Sequence, residues 1–375
     1  MLLPPRRQIT DFPTVKLALI LGLGEWEQSK WRRQQRLYKI VVILGMLTLG
    51  FRRILQLPTL CTKKWNDWLF EPAGQLIFVN ALFYFSGAVA AILLHVFHKN
   101  DVILKQDIES RVDKESYRQC FYLMIGCTAY GLLVGVSGLC AFYLHGLGEI
   151  PPLFGKCLGW IVLEFYCNFL CQNSLNLMAA SIYQALSVLK RKIEDLEVVM
   201  GSRPVKNNLE EYMNKLKTVQ RLHFEVVNTK EILQRQYGFP TLYAYAVSIP
   251  CLCFLVYLLL KNINEAIPLV LSICLWFFSN LGALTAISFV AFDIDQGGER
   301  LVASSIRMSN NILGKHSDLA LLSYSNLLHS QIQSSRLTFN ACGYFELKKN
   351  ILITLFSTIL TNFLILVQFS KDDWY

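Results

Sequence analysis

Charge is scarce in this chain: only 17% of its 375 residues are Asp, Glu, Lys or Arg, against 53% hydrophobic, and mean hydropathy is +0.37. Water-soluble chains of this length rarely have such a balance, so a soluble globular enzyme is excluded first. Catalytic signatures are missing too. No phosphate-binding loop, dinucleotide fingerprint, zinc-protease helix or nucleophile elbow stands in a suitable context, which leaves no catalytic residue, no metal ligand set and no cofactor to name. Internal repeats and low-complexity tracts are absent. A disulfide framework is not expected either, because many of the eleven cysteines, such as Cys127, Cys140, Cys167, Cys171 and Cys274, lie in apolar stretches as small hydrophobes. The Cys251-x-Cys253 pair has no second ligand pair at a metal-site spacing. The apolar run at 15–23 is too short to span a membrane and no small-residue cleavage site follows it, so we expect a short helix at the inner membrane face and no cleaved signal peptide.

What the chain does contain is long apolar runs. A span needs about 20 mostly apolar residues. Seven such runs occur, at 37–57, 74–97, 120–145, 153–183, 239–262, 268–292 and 350–369. The first carries Arg52 and Arg53, which are expected to snorkel from its outer end. The fold class expected is therefore an all-α membrane protein of seven transmembrane helices. The 24 Phe, 16 Tyr and 7 Trp suit lipid-facing helices with interfacial rings.

The net charge of +9 does not point to nucleic acid, because Lys and Arg sit between the apolar runs rather than on one soluble surface. One side of the spans holds 28 of these residues and the other 3. Positive residues accumulate on cytoplasmic loops, so the amino terminus is expected inside and the carboxyl terminus outside, in a multi-pass protein of the plasma membrane.

Two inner connections read as helical. Leu186, Leu189, Ile193, Leu196 and Met200 recur at spacings of three or four, and Gly201-Ser202-Arg203-Pro204 then ends the stripe. A second stripe follows in Leu209, Met213, Leu216, Val219, Val226 and Leu233. Together they predict a helical hairpin at 185–238 that extends the fourth and fifth spans into the cytoplasm and packs against the last inner loop or another subunit. That loop, 294–349, has similar character, with Leu301, Ile306, Leu313, Leu319, Leu322 and Leu327 between polar residues. At its start Asp293, Asp295 and Glu299 flank Gly297-Gly298. A divalent-cation site and a hinge with solvated carboxylates are the two readings, and the hinge is favoured. Glu164, inside the fourth span, must pair, protonate or face a watery cavity. Ligand contact and a structural hydrogen bond to a neighbouring span are both open.

The approach to the last span and the span itself, ACGYFELKKNILITLFSTILTNFLILVQF, resemble the carboxyl-terminal signature of the insect gustatory receptor family. Thr361, Gln368 and Phe369 match at the right spacing, and Gly343, Phe345 and Leu347 match the segment upstream. Asn362 replaces the usual Tyr. The resemblance implies a ligand-gated, nonselective cation channel of four subunits, identical or mixed with related receptors, opened by a small-molecule tastant. In such receptors the seventh span lines the pore, so Thr361, Leu364, Gln368 and Phe369 become pore and gate residues. Gly343, Phe345 and Leu347 belong to the anchor that joins subunits. A ligand pocket drawn from outer-half polar and aromatic groups would use Asn80, Tyr84, Tyr143, His145, Trp160, Glu164, Tyr257, Trp276 and Asn280. Phe363 stands where sugar-sensing members resemble one another in an acidic residue, which favours bitter or other non-sugar ligands.

The chain then divides into a cytoplasmic segment 1–36, spans and pocket at 37–292, an anchor segment 293–349, a pore-lining span 350–370 and an extracellular tail 371–375. Two rivals remain. A seven-span receptor coupled to G proteins would need an Asp-Arg-Tyr element after the third span and Asn-Pro-x-x-Tyr in the seventh, and both are missing. A polytopic transporter would need broken helices or paired charges inside the membrane.

Overall fold

The computed structural model describes residues 32–60, 72–100, 126, 129–130, 132–133, 136, 158–202, 209–261, 267–313, 318–348 and 350–370. Among the described residues seven helices are formed: α1 (Arg32–Leu60), α2 (Pro72–Asn100), α3 (Leu158–Gly201), α4 (Leu209–Lys261), α5 (Ile267–Leu313), α6 (Leu319–Ser334) and α7 (Asn350–Ser370). One antiparallel hairpin joins β1 (Asn340–Ala341) to β2 (Phe345–Glu346). Six of the predicted spans fall on α1, α2, α3, α4, α5 and α7. Of the third, only Gly126, Ala129, Tyr130, Leu132, Leu133 and Val136 are described, and these are helical.

Apolar stretches long enough to cross a hydrocarbon core occur in α2, α4 and α5, and α7 carries the shorter apolar run Ile353–Ile365. The other two are diluted for identifiable reasons. α1 carries Lys39, Arg52 and Arg53, and α3 carries the amides Asn168, Gln172, Asn173 and Asn176. Arg53 does not snorkel as expected: only 3% of it is exposed.

The chain forms two compact units. The first draws on residues 1–181, 244–284 and 355–375, and the second on 182–243 and 285–354, so α3, α4 and α5 each contribute to both. In the first unit α1 packs on α2. Val42, Met46 and Leu49 of α1, Phe83, Tyr84 and Ala88 of α2, and Cys167, Leu170 and Cys171 of α3 form one apolar cluster. Glycine sets the spacing there: a Cβ added at Gly87 would lie 2.7 Å from the Cβ of Cys171 and 2.8 Å from its Cα.

The second unit is a helical bundle. Both predicted stripes are buried in it, the first in full through Leu186, Leu189, Ile193, Leu196 and Met200. The second is rotated slightly from the expected phase. Tyr212, Leu216, Val219, His223, Val226, Leu233 and Tyr237 are buried, whereas Leu209 is exposed and Met213 half-buried. At the end of α3 Ser202 N donates to Val198 O at 3.0 Å and Lys215 Nζ of α4 donates to Met200 O at 3.0 Å, so these end carbonyls of the helix have partners.

In the segment 294–349 the expected stripe is met only in part. Leu301 is buried and Leu322 half-buried, but Leu319, Leu327 and Ile306 are exposed, and the buried face of α6 is Leu321, Ser325, Leu328 and Ile332. Asp318 caps this helix by accepting from Ala320 N at 2.9 Å. A hinge at Gly297-Gly298 is also overturned, because α5 runs through both glycines. They serve close packing: a Cβ at Gly297 would lie 2.7 Å from Ile193 Cγ2, and one at Gly298 3.3 Å from Leu337 Cβ. Asp293 is paired rather than merely solvated, accepting from Lys190 Nζ at 2.6 Å, and that contact holds the lysine's pKa above its ordinary value. Among the described residues no group of three or more His, Cys, Asp or Glu could hold a metal ion.

Candidate ligand site and the outward face of the last helix

A second cluster of the first unit joins Val79 of α2, Leu255 and Leu258 of α4, and Ile273 and Trp276 of α5, with Tyr130 and Phe254 packed against it. One turn of α5, residues 275–280, makes contacts with α2, α3, α4 and Tyr130. The indole of Trp276 stacks on Phe83 of α2 with centroids 5.2 Å apart and planes 20° off parallel. Tyr130 donates its hydroxyl hydrogen to Leu275 O. Gln172 Nε2 of α3 donates to Ser279 Oγ at 3.0 Å and to Asn176 Oδ1 at 3.1 Å, and Ser279 Oγ donates to Asn176 Oδ1 at 3.3 Å. Ser248 Oγ of α4 donates to Asn280 Oδ1 at 3.2 Å, while Asn280 Nδ2 donates to Trp276 O at 2.9 Å.

Of the expected pocket residues, Asn80, Tyr84, Tyr257 and Trp276 are buried and Asn280 is half-buried. Trp276 and Asn280 lie on this turn, and Asn80 is buried on α2, next in sequence to Val79 of the cluster. Asn280 is already engaged at both ends of its amide. Tyr84 belongs instead to the cluster between α1, α2 and α3. Tyr143 and His145 lie outside the described residues, as do the side chains of Trp160 and Glu164. Among the described residues Asn80 Oδ1 and Trp276 Nε1 are buried without a hydrogen-bond partner. The residues missed from sequence are Phe83, Tyr130, Gln172, Asn176, Ser248 and Ser279. A signal for two of them was present, since Gln172 and Asn176 continue a repeat from Asn168 every four residues inside an apolar helix.

The last helix has two contrasting faces. Leu355 and Ile359 are buried. On their side of the helix Asn362, the residue that departs from the signature, hydrogen-bonds the Cys253 thiol of α4. Ser357, Thr361, Leu364 and Gln368 follow at i, i+4, i+7 and i+11 on the opposite face, and all four are exposed. The side chain of Phe369 lies outside those described.

The expected anchor motif forms the β-hairpin, an element the helical reading did not anticipate. Gly343 has φ +80 and follows Cys342 at φ 52, a pair of left-handed residues at the turn tip. Gly343 N donates to Asn340 Oδ1 at 3.1 Å, and Leu347, fully buried, donates its N–H to Phe339 O at 2.8 Å. Phe345 is half-buried on β2.

Long apolar helices with amide-bearing cores and a polar face left open on the last one define a multi-pass helical membrane protein. The chain belongs to the 7tm chemosensory receptor family, which it matches over residues 13–373. This is a family of receptors and not of enzymes, in agreement with the resemblance read from the carboxyl-terminal signature. Its relatives include two proteins of Caenorhabditis elegans. The chain is 28% identical to High-energy light unresponsive protein 1 and 27% identical to Gustatory receptor family protein 3, in each case over 96% of this chain and 85% of the relative. Its fold is similar to that of the insect olfactory receptor OR5 from Machilis hrabei. The TM-score is 0.66 against the complex with eugenol, at 14% identity over 95% of this chain and 97% of the receptor. Against that receptor's other structure it is 0.58, at 12% identity over 96% and 99%.

Proposed function

We propose that this chain is a gustatory-type receptor subunit that acts as a ligand-gated, nonselective cation channel, four subunits surrounding one pore. It sits in the plasma membrane with its amino terminus inside, and a small-molecule tastant of the bitter or other non-sugar class opens it. The family supports the chemosensory role, and one relative is named a gustatory receptor while a structural neighbour was solved with eugenol.

The observation that carries the channel reading is the exposed polar face of α7. An uncompensated glutamine or threonine facing hydrocarbon is costly, so a face with Ser357, Thr361 and Gln368 calls for water or a neighbouring subunit. An amide at Gln368 would coordinate hydrated cations, with Leu364 or Phe369 as the apolar constriction. In this reading Asn80, Trp276 and Asn280 lie at the ligand site, and Gly343, Phe345 and Leu347 hold the anchor. Partner subunits are identical or related receptors.

Whole-cell recording tests the reading. Cells expressing the chain are exposed to bitter compounds, sugars and, because one relative's name refers to high-energy light, short-wavelength illumination. Gln368→Arg is expected to cut inward cation current by about tenfold or more at equal surface expression, and Gln368→Glu to shift the reversal potential toward more permeant divalents. Currents unchanged in amplitude and reversal potential by both substitutions would remove α7 from the pore.

A further inference from the structure

The amide that replaces the signature tyrosine reaches beyond its own helix. Asn362 of α7 hydrogen-bonds the thiol of Cys253 on α4, the second cysteine of the Cys251-x-Cys253 pair that has no metal-site spacing. Thr354, about two turns earlier, instead turns its hydroxyl back on α7 and donates to Asn350 O at 3.0 Å. Cys253 is buried, as are Leu252 and Leu255 near it in sequence. Among the described side chains of α7 only Leu355 and Ile359 are buried, so apolar packing grips this helix lightly, as it does elements that move. An amide in hydrocarbon seeks a partner, and a thiol is a soft, weak one. The bond biases the position of α7 without locking it.

Helix geometry ties that bond to the face assigned to the pore. Successive residues advance by about 100°, which puts Asn362 and Leu364 on nearly opposite sides of α7, about 160° apart. Leu364 shares its exposed face with Ser357, Thr361 and Gln368. Turned to the pore, an apolar side chain there narrows the path and drives out water, so a channel in this position is shut. A helix rotates as one body. Any rotation of α7 that withdraws Leu364 swings Asn362 off Cys253 by the same angle. The bonded arrangement and the shut pore therefore belong to one position of the helix.

We propose that the Asn362–Cys253 hydrogen bond is a latch that holds α7 in the shut position, Asn362 being a positioning residue for gating and not a lining residue of the pore. This rests on the reading of the chain as a cation channel with α7 at its pore. The experiment measures basal current in cells expressing the full chain, with no compound added. The cation component is the inward current lost when external sodium is replaced by N-methyl-D-glucamine, and it is divided by the number of receptors labelled at the surface.

Asn362→Leu keeps the size of the side chain and removes its polar atoms, and Cys253→Ala removes the thiol. Each is expected to raise basal current per receptor about threefold, the change in an open–shut ratio that one membrane hydrogen bond makes. The double variant should rise no further than the larger single one, because both remove the same bond. Cys253→Ser keeps a hydrogen-bonding partner and should stay near the level of the unmodified chain. Reversal potential should be the same in all of them, and adding Gln368→Arg to Asn362→Leu should abolish the extra current. Asn362 is itself exposed, so Asn362→Leu decides the matter even if Cys253→Ala fails to fold. Unchanged current per receptor, additive effects of the two substitutions, or a shifted reversal potential in Asn362→Leu overturns the latch. If compounds still open currents in any of those cases, the channel reading survives. If no compound and no variant yields a cation current, both fall.

Discussion

His223 shows how a residue's neighbours decide its chemistry. It lies on the buried face of α4, with 7% exposure, and its Nε2 is hydrogen-bonded to Ser335 Oγ at 2.7 Å. Burial lowers its pKa from 6.5, since the charged ring would lose its hydration. The folded pKa being below the unfolded one, the unfolded chain takes up the proton first as the medium is acidified. The stability tied to this residue is therefore complete above pH 6.5 and is lost as pH falls through the folded value. The unfolding temperature of the purified protein should drop from about pH 7.5 to about pH 5.5, and His223→Gln should flatten that slope. An equal slope in the variant would assign the acid sensitivity elsewhere. Sequence pattern alone could not single out this histidine. A polar residue among Leu216, Val219 and Val226 reads as an interruption of the stripe until its serine partner, 112 residues away, is seen. Trp276 and Asn80 were legible as polar or aromatic groups within spans. That the Asn280 carbonyl is engaged depends on Ser248 of another helix, and that Trp276 has a stacking partner depends on Phe83, contacts that no local pattern records.

Among the elements, α2 and α3 come close together at Gly87. An alanine there would bring its Cβ to 2.7 Å from Cys171 Cβ and 2.8 Å from its Cα, and the second contact is backbone. Gly87→Ala should therefore destabilise the fold by about 1–3 kcal/mol, visible as a lower unfolding temperature and reduced surface expression. Cys171→Ala should not restore it, because the Cα and Cβ remain. Gly282 on α5 meets nothing within 4 Å, so Gly282→Ala serves as the control and should leave stability unchanged or slightly improved. Equal effects of the two substitutions would mean that α2 and α3 do not approach through Gly87. Helix existence was legible from apolar runs and stripes, whereas helix phase was not. On α6 the expected stripe ran through Leu319, Leu322 and Leu327, whereas the buried face is Leu321, Ser325, Leu328 and Ile332, in which Ser325 breaks the apolar pattern. Its side chain is buried among residues that only the folded bundle supplies. The hairpin at 340–346 was missed for a related reason. Two residues per strand leave no alternation to detect, and the left-handed turn at Cys342 and Gly343 shows only in the backbone.

For the molecule as a whole, the distribution of Lys and Arg makes a prediction of its own. An epitope fused after Tyr375 should label on intact cells, and one at the amino terminus only after permeabilisation. The reverse pattern would overturn the inside amino terminus and with it the assignment of residues 185–238 to the cytoplasm. Hydropathy, charge bias and the Thr361, Gln368, Phe369 signature by themselves determined an all-helical membrane chain and its receptor family, because burying apolar surface in lipid and keeping cations on one side are constraints written residue by residue. Tertiary structure alone decided which polar groups satisfy one another and which stay open. A hydrogen bond between Gln172 and Ser279 needs two helices at a distance set by packing, and no local pattern in the chain records that distance.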